Sequence, residues 1–231
     1  MIGSWLRGFW GLFYPNLCAV CDTPLVHGEE VMCTRCNYKL PKTRTWNLPD
    51  NEVAKIFWGR VYLTHACSFF FFRKGSRYQK LLHKLKYSGR KDIGRYLGQE
   101  FGQELRKVES LKDIACVIPV PLHPKKLRKR GYNQSEWIAI GLSDTMLVPV
   151  VTNVLVKTTH TESQTRKGRL ERWDNVSEVF SIANKELIKG KHLLLVDDVV
   201  TTGATLEACA QTLINEGDCT VSIATLACAG R

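Results

Sequence analysis

Thirteen residues decide the fold, and they read Leu193-Leu194-Leu195-Val196-Asp197-Asp198-Val199-Val200-Thr201-Thr202-Gly203-Ala204-Thr205. The apolar run at 193–196 predicts a buried strand, since short aliphatic runs are typical of strands covered on both faces. Two acidic residues follow, then a turn rich in hydroxyl groups, and Gly203 precedes a predicted helix over Ala204 to Glu216. This order places polar groups at the carboxyl end of a strand, where α/β sheets bind ligands.

The turn after this strand has the chemistry of an anion site. Gly203 lets the backbone come close to a ligand. The N–H groups at the start of the helix point at an anion, and the helix dipole favours negative charge there. The hydroxyl groups available to phosphate oxygens are those of Thr201, Thr202 and Thr205. The sequence contains no GxxxxGK[ST] and no GxGxxG, so the other common nucleotide-binding loops are excluded.

The two acidic residues indicate what is attached to the bound anion. Asp197 and Asp198 can accept hydrogen bonds from the vicinal hydroxyls of a ribose, directly or through Mg²⁺ and its waters. A phosphate on the amides and a diol on the acids together indicate a ribose 5-phosphate. The predicted binding residues are Asp197, Asp198, Thr201, Thr202, Gly203, Ala204 and Thr205. The alternative is an ordinary strand-turn-helix with a threonine cap and two solvated aspartates.

Strands and helices alternate on both sides of this segment, which predicts an α/β fold with a parallel sheet flanked by helices. The predicted strands are Val61 to Phe72, Ala115 to Val120, Val148 to Val156, Glu178 to Ile182, His192 to Val196 and Thr220 to Leu226. The other predicted helices are Tyr78 to Val108, with a break near Ser88-Gly89, and Ser135 to Leu142. Trp5, Phe9 and Phe13 recur at helical spacing and predict a short amphipathic N-terminal helix.

Composition divides the chain into three parts. Residues 1–40 hold the N-terminal helix and two CxxC pairs, 41–110 a connector and helical region, and 111–231 the α/β domain. Nine cysteines, an odd number, and the lack of a secretory signal argue against a disulfide framework. We therefore expect a cytoplasmic protein without a transmembrane segment.

The two CxxC pairs predict a metal site. Cys18 and Cys21 are separated by eleven residues from Cys33 and Cys36. Four thiolates at this spacing are typical of a structural Zn²⁺ site, and the metal stabilises a segment too short for a core of its own. An iron–sulfur centre or a redox-active pair are the alternatives.

The net charge of +11 favours a polyanionic partner, although a solvated basic surface is the alternative. Five cations lie in six positions of the predicted loop that follows the strand ending at Val120: Lys125, Lys126, Arg128, Lys129 and Arg130. Such a cluster repels itself unless an anion or solvent relieves it. Gly131 comes next and allows a close backbone approach.

The segment from Leu193 to Thr205 resembles the motif of type I phosphoribosyltransferases that binds phosphoribosyl pyrophosphate (PRPP). The wider chain resembles the ComF family, which includes ComF and GntX. The resemblance rests on the CxxC pairs, Leu85-Lys86-Tyr87 with Gly89, Pro119-Val120-Pro121-Leu122, Arg130-Gly131-Tyr132-Asn133-Gln134 and the acid-rich motif. It implies a type I phosphoribosyltransferase-like fold with a small N-terminal zinc-binding unit of four cysteines.

The resemblance also implies roles for the basic segments. In such a fold the loop after the first core strand binds pyrophosphate, which gives that role to Lys125, Lys126, Arg128, Arg130 and Gly131. A mobile loop closes over PRPP, and Thr158 to Asn175 occupies its position. Within it, Arg166, Lys167 and Arg169 are the candidates for stabilising the departing pyrophosphate.

Two functions follow as hypotheses. The first is a Mg²⁺-dependent phosphoribosyltransferase that releases pyrophosphate, with its acceptor held by a hood from the N-terminal region and residues 41–110. The second is a non-catalytic module that binds single-stranded DNA or a protein of the uptake machinery. Tyr87, Tyr132 and Trp137 lie near cations and could stack on bases, with packing in the core as the alternative for each. The resemblance to the ComF family implies a connection with DNA uptake or utilisation (competence) in either case.

Overall fold

The computed structural model describes residues 15–158 and 179–229. The predicted N-terminal helix and, apart from Thr158, the predicted mobile loop with Arg166, Lys167 and Arg169 lie outside these ranges. No helix in the described part of the chain is both long enough and apolar enough to cross a bilayer.

Four parallel strands form the central sheet: β1 (His65–Phe72), β2 (Ile114–Pro119), β5 (His192–Val200) and β6 (Thr220–Ala229). Their order is β1-β6-β5-β2, and every neighbouring pair is parallel. The long apolar runs in β5 and β6 are buried, as expected for strands covered on both faces. The predicted parallel sheet with flanking helices is therefore confirmed.

Helices cover both faces of the sheet. They are α1 (Thr34–Tyr38), α2 (Ala54–Phe57), α3 (Gln79–Tyr87), α4 (Lys91–Leu105), α5 (Pro124–Arg130), α6 (Gln134–Met146) and α7 (Ala204–Gly217), with a 3₁₀ turn at Glu109–Leu111. One buried cluster joins α3, α4 and α6 to residues such as Leu194 and Val196 of β5, and α7 packs on the opposite face with Leu193 and Leu195. Alternate residues of β5 therefore pack in the hydrophobic clusters on opposite faces of the sheet.

Glycines bring α4 and α6 together on the first of these faces. A Cβ atom added at Gly98 would collide with the carbonyl oxygen of Ile138, and one added at Gly141 would collide with that of Arg95. Backbone therefore touches backbone across this helix pair, and larger residues at either position would push the helices apart.

Two predicted strands lie outside the central sheet. β3 (Leu155–Thr158) and β4 (Val179–Ile182) pair antiparallel with each other. The predicted strand over 148–156 is wrong in its first half, where only Val150 makes a parallel bridge to Val117 of β2. Pro149 has no N–H to extend that ladder, which explains the short pairing.

The predicted basic loop is also wrong in its local structure, since most of it forms helix α5. Pro124 stands at the first helical position, and the His123 side chain accepts a hydrogen bond from the Lys125 N–H. Gly131 ends the helix with φ of 79°. These capping residues favour a helix even though its cations repel one another.

The N-terminal region contributes to the same core. Strand β1 belongs to the predicted middle part, 41–110, yet it pairs with β6 throughout its length. Cys18, Val20, Val31 and Cys36 are buried in the cluster that includes α3 and α4. The division at residues 40 and 110 stays a prediction.

Candidate phosphate site and zinc unit

The phosphate loop, residues 199–205, connects the carboxyl end of β5 to the start of α7. A cavity of about 90 Å³ is lined by Asp197 and by residues 199–206. This is room for several waters or one small anion, since a single water needs about 10–15 Å³ on the same measure. Thr201 and Thr202 are exposed and Thr205 is half-buried, while Ala204 begins the helix. The predicted phosphate-binding residues therefore surround one small cavity.

Gly203 is buried and has φ of 78°. A Cβ atom at this position would lie 2.8 Å from Ile56 Cγ2 and 2.9 Å from Phe57 Cε1. Two separate features therefore require glycine at this position: the left-handed backbone conformation and the close approach of α2. The segment of residues 54–60 therefore packs directly against the phosphate loop.

Arg60 adds a second contact between this segment and the loop. Its guanidinium donates to the carbonyl oxygens of Thr202, at 2.7 Å, and of Ile56, at 3.0 Å, and it pairs with Glu207 of α7. One side chain therefore links α2, the phosphate loop and α7. Arg60 was not predicted, because no local pattern in the sequence connects it to residue 202.

The two acids at the end of β5 have different surroundings. Asp197 Oδ1 accepts hydrogen bonds from Ser135 Oγ and from the Asp198 N–H, each at 2.8 Å. Asp198 is buried, and its Oδ2 lies 2.8 Å from Nζ of Lys86 on α3. Asp198 lines a cavity of about 380 Å³ with Lys86 and Tyr87, whereas Asp197 lines the phosphate cavity. Adjacent strand residues point to opposite faces, so the acids approach a ligand from two sides.

Burial and the neighbouring Asp198 carboxylate raise the pKa of Asp197 to about 7. The hydrogen bond from Ser135 and the charge of Lys86 oppose this rise. Asp197 therefore changes charge near neutral pH, where a carboxyl group can both accept and release a proton.

Magnesium, which the resemblance implies, does not fit the acid pair as a protein-held ion. Mg²⁺ requires oxygen ligands in near-octahedral order and usually keeps several waters. Here the ammonium group of Lys86 already lies against Asp198 Oδ2, and two hydrogen-bond donors already use Asp197 Oδ1. The positive charge beside the two carboxylates comes from the side chain of Lys86.

The motif at 130–135 connects these elements. Asn133 caps α6 through its side chain and donates to the carbonyl oxygen of Val120 at 3.0 Å. Tyr132 is buried, and its hydroxyl donates to the carbonyl oxygen of Leu85 on α3. Ser135 then reaches Asp197. Residues that carry the family resemblance therefore bring β2, α3 and α6 to the end of β5.

Of the residues predicted to bind pyrophosphate, Arg130 is connected to the cavity at Asp198, because it stacks on Tyr87. Lys125, Lys126 and Arg128 are exposed on α5, and Gly131 is exposed at its end. Arg130 is half-buried, donates to Gln134 and lies 5.4 Å from the ring centre of Tyr87, which is 67% exposed. Their role toward pyrophosphate stays a prediction.

The four predicted zinc ligands come together in space. The sulfur atoms of Cys18, Cys21, Cys33 and Cys36 lie within 4.8 Å of one another, and those of Cys21 and Cys33 are 3.7 Å apart. A tetrahedral Zn²⁺ with Zn–S bonds of about 2.3 Å requires sulfur separations of about 3.8 Å. The donor set fits Zn²⁺ with four thiolates, and the metal would act there as a structural crosslink.

The segment that holds the four cysteines, residues 18–36 and called the zinc unit below, packs against α3, the helix that carries Lys86. Asp22 pairs with Lys84 at 2.9 Å and with Lys80 at 3.2 Å. Hydrogen bonds from these two lysines lower the pKa of Asp22. The Tyr78 hydroxyl donates to the carbonyl oxygen of Cys36 at 3.0 Å. The metal-binding segment is therefore connected mechanically to the acid pair.

A second cluster of polar residues lies at the other end of the sheet and resembles a catalytic triad. His192 contacts Asp113 Oδ1 at 2.7 Å and Ser222 Oγ at 2.8 Å. Ser222 is fully buried, however, so its hydroxyl cannot reach a substrate. This cluster links the amino ends of β5 and β6 and does not indicate a hydrolase.

Comparison with known proteins agrees with the fold. The family model described as phosphoribosyl transferase domain matches residues 109–231, more than half of the chain. The DNA utilization protein YhgH of Salmonella typhi is 30% identical over 212 residues, which cover 90% of this chain and 82% of that protein. The same-named protein of Shigella flexneri is 28% identical over 230 residues, 92% of this chain and 96% of its own length. Competence protein F of Haemophilus influenzae is 32% identical over 112 residues, 48% of this chain and 49% of that protein.

The chain belongs to the phosphoribosyl transferase domain family, and within it to the ComF-type proteins that carry an N-terminal cysteine cluster. Among solved structures, the glutamine PRPP amidotransferase from B. subtilis aligns with a TM-score of 0.41 at 19% identity, over 62% of this chain and 30% of that one.

Proposed function

We propose that this protein binds PRPP and transfers its phosphoribosyl group to an acceptor with release of pyrophosphate. The observation that carries the proposal is the phosphate cavity, which combines a left-handed glycine, exposed threonines and the first turn of α7. Asp197 lines this cavity and Asp198 lines the one at Lys86, and in this proposal the two acids take the hydroxyls of the ribose.

The reaction needs little covalent chemistry from the protein. An acceptor displaces pyrophosphate at the anomeric carbon, so catalysis depends on positioning and on stabilising the charge that leaves. The cations of α5 and Arg166, Lys167 and Arg169 are the candidates for that second task. Mg²⁺ would enter with the phosphates of PRPP, since the acid pair offers it no site of its own.

Room for an acceptor lies on the other side of Thr201. A cavity of about 720 Å³ is lined by apolar residues such as Val53, Ile56 and Phe71 and by the charged residues Glu52, Lys55 and Arg73. Thr201 lines this cavity as well as the phosphate cavity and the cavity at Asp198. The predicted hood from residues 41–110 is consistent with this arrangement.

The binding step is tested by calorimetry with PRPP. Replacing Asp198→Asn together with Thr202→Ala removes one charged and one neutral hydrogen-bonding group, so we expect the affinity to fall about a hundredfold. The matched control is Asp218→Asn with Thr220→Ala, at the opposite end of the sheet. Equal PRPP affinity in the wild type and the site variant would end the proposal.

Catalysis is tested separately by measuring pyrophosphate release from PRPP across a panel of nucleobases and amines. Release that depends on one acceptor supports the transferase. If PRPP binds with the expected residue dependence while every acceptor fails, the protein is a binding module that uses the same site.

The second candidate function is binding of single-stranded DNA, and the stacking of Arg130 on the exposed ring of Tyr87 favours it. Tyr132 is buried and Trp137 is half-buried, so Tyr87 is the base-stacking residue that this surface offers. Curated relatives named for DNA utilization and competence support a role of this protein in that context. DNA affinity should fall steeply as salt is raised, and PRPP affinity should fall far less.

A further inference from the structure

The side chain of Lys86 occupies a position that neither the family match nor the sequence motifs explain. It extends from the last turn of α3 and places its Nζ 2.8 Å from Asp198 Oδ2. The Asp198 side chain is 5% exposed and that of Lys86 is 26% exposed. Both line the cavity of about 380 Å³ that Thr201 also lines. A ligand that reaches Asp198 from this cavity therefore meets Lys86 as well.

The acid pair needs a positive charge. Asp197 and Asp198 are neighbours in sequence at the end of a buried strand, and the Asp198 carboxylate disfavours the ionised form of Asp197. Lys86 counteracts this repulsion at both acids, because it touches Asp198 and favours the charged form of Asp197. A divalent cation bound between carboxylates performs the same electrostatic task.

The position of Lys86 is fixed by contacts of the two residues that precede it along α3. Leu85 is fully buried, and its carbonyl oxygen accepts the Tyr132 hydroxyl. Two residues earlier, Lys84 pairs with Asp22 of the zinc unit. The ammonium group is therefore held against the acid pair before any ligand arrives, which lowers the cost of ordering it on binding.

We propose that Lys86 is the built-in counter-cation of the Asp197–Asp198 pair, so that the site binds a ribose 5-phosphate group without a divalent metal ion. The proposal rests on the proposed function and specifies how the site takes its ligand. The acids hold the sugar hydroxyls, while Lys86 pairs with Asp198 and favours the ionised form of Asp197. A divalent ion is then needed only by ligands that carry a diphosphate.

The test is calorimetric binding of ribose 5-phosphate, which has no diphosphate, with magnesium chloride and in buffer freed of divalent ions by a chelating resin. EDTA is avoided because it would remove zinc from the cysteine cluster. For the wild type we expect the same affinity in both buffers. For Lys86→Met we expect affinity about tenfold or more weaker in the metal-free buffer, with recovery when magnesium is added.

Two further variants separate charge from structure. Lys86→Arg keeps the cation and should bind as the wild type does in metal-free buffer. Lys107→Met removes a lysine that is 66% exposed and pairs with Glu104 three residues away, and it should change nothing. Circular dichroism and zinc content show whether each variant folds.

The wild-type comparison decides the proposal even if no Lys86 variant folds. A wild type that binds ribose 5-phosphate only with magnesium overturns the inference and leaves the proposed function standing, as does a folded Lys86→Met protein with unchanged metal-free affinity. A wild type that binds neither ribose 5-phosphate nor PRPP in either buffer overturns the proposed function, and the inference with it.

Discussion

Replacing Gly203 by alanine tests whether α2 and the phosphate loop hold each other in place. Two costs add at this position. An L-residue in the left-handed region costs about 1–2 kcal/mol, and Gly203 has φ of 78°. A methyl group 2.8 Å from Ile56 and 2.9 Å from Phe57 overpacks a closed contact, which typically costs about 1–3 kcal/mol more. We expect Gly203→Ala to lower the free energy of unfolding by about 2–5 kcal/mol.

Gly190→Ala is the matched control. Gly190 has φ of 67°, and nothing lies within 4 Å of its added Cβ atom. Only the backbone cost applies there, about 1–2 kcal/mol. Urea unfolding followed by circular dichroism gives both values, with the slope checked for constancy.

The difference between the two variants measures the contact of α2 with the loop. Because the loop must also move to admit the methyl group, Gly203→Ala should weaken PRPP binding while Gly190→Ala should not. Equal destabilisation by the two substitutions, with unchanged PRPP affinity in both, would show that α2 does not brace the phosphate loop.

The remaining predictions concern the acid pair and the metal. Since the pKa of Asp197 is raised from 3.8 to about 7, the folded state binds more protons than the unfolded state between these values, and wild-type stability falls as pH rises through that window. Asp197→Asn lacks this dependence, so its stability relative to wild type should increase by about 2 kcal/mol from pH 5 to pH 8; urea titrations at both pH values that give a constant difference would contradict this. Purified protein should hold one zinc ion per chain, measured by mass spectrometry of the metal, and Cys18→Ser with Cys21→Ser should lose it. That loss should also weaken ribose 5-phosphate binding, because the zinc unit braces α3; full zinc occupancy in the double variant would refute the ligand set.

The sequence by itself determined the parts of this protein whose causes are local. A strand, a glycine turn and a helix follow one another at 192–217, so their order alone placed the phosphate loop at the carboxyl end of a strand. The two CxxC pairs placed four sulfurs together in the same way, since short spacing limits where each thiol can go. The parallel sheet followed from long apolar strands between helices.

Only the tertiary structure decided which residues complete the site. Ser135 reaches Asp197 across 62 positions, and Arg60 reaches Thr202 across 142. Lys86 belongs to a short motif that the family resemblance rests on, yet nothing in that motif indicates that its ammonium group meets Asp198. Periodicity and spacing report on neighbours along the chain, whereas these contacts form because the packing of α2, α3 and α6 brings distant segments to one end of the sheet.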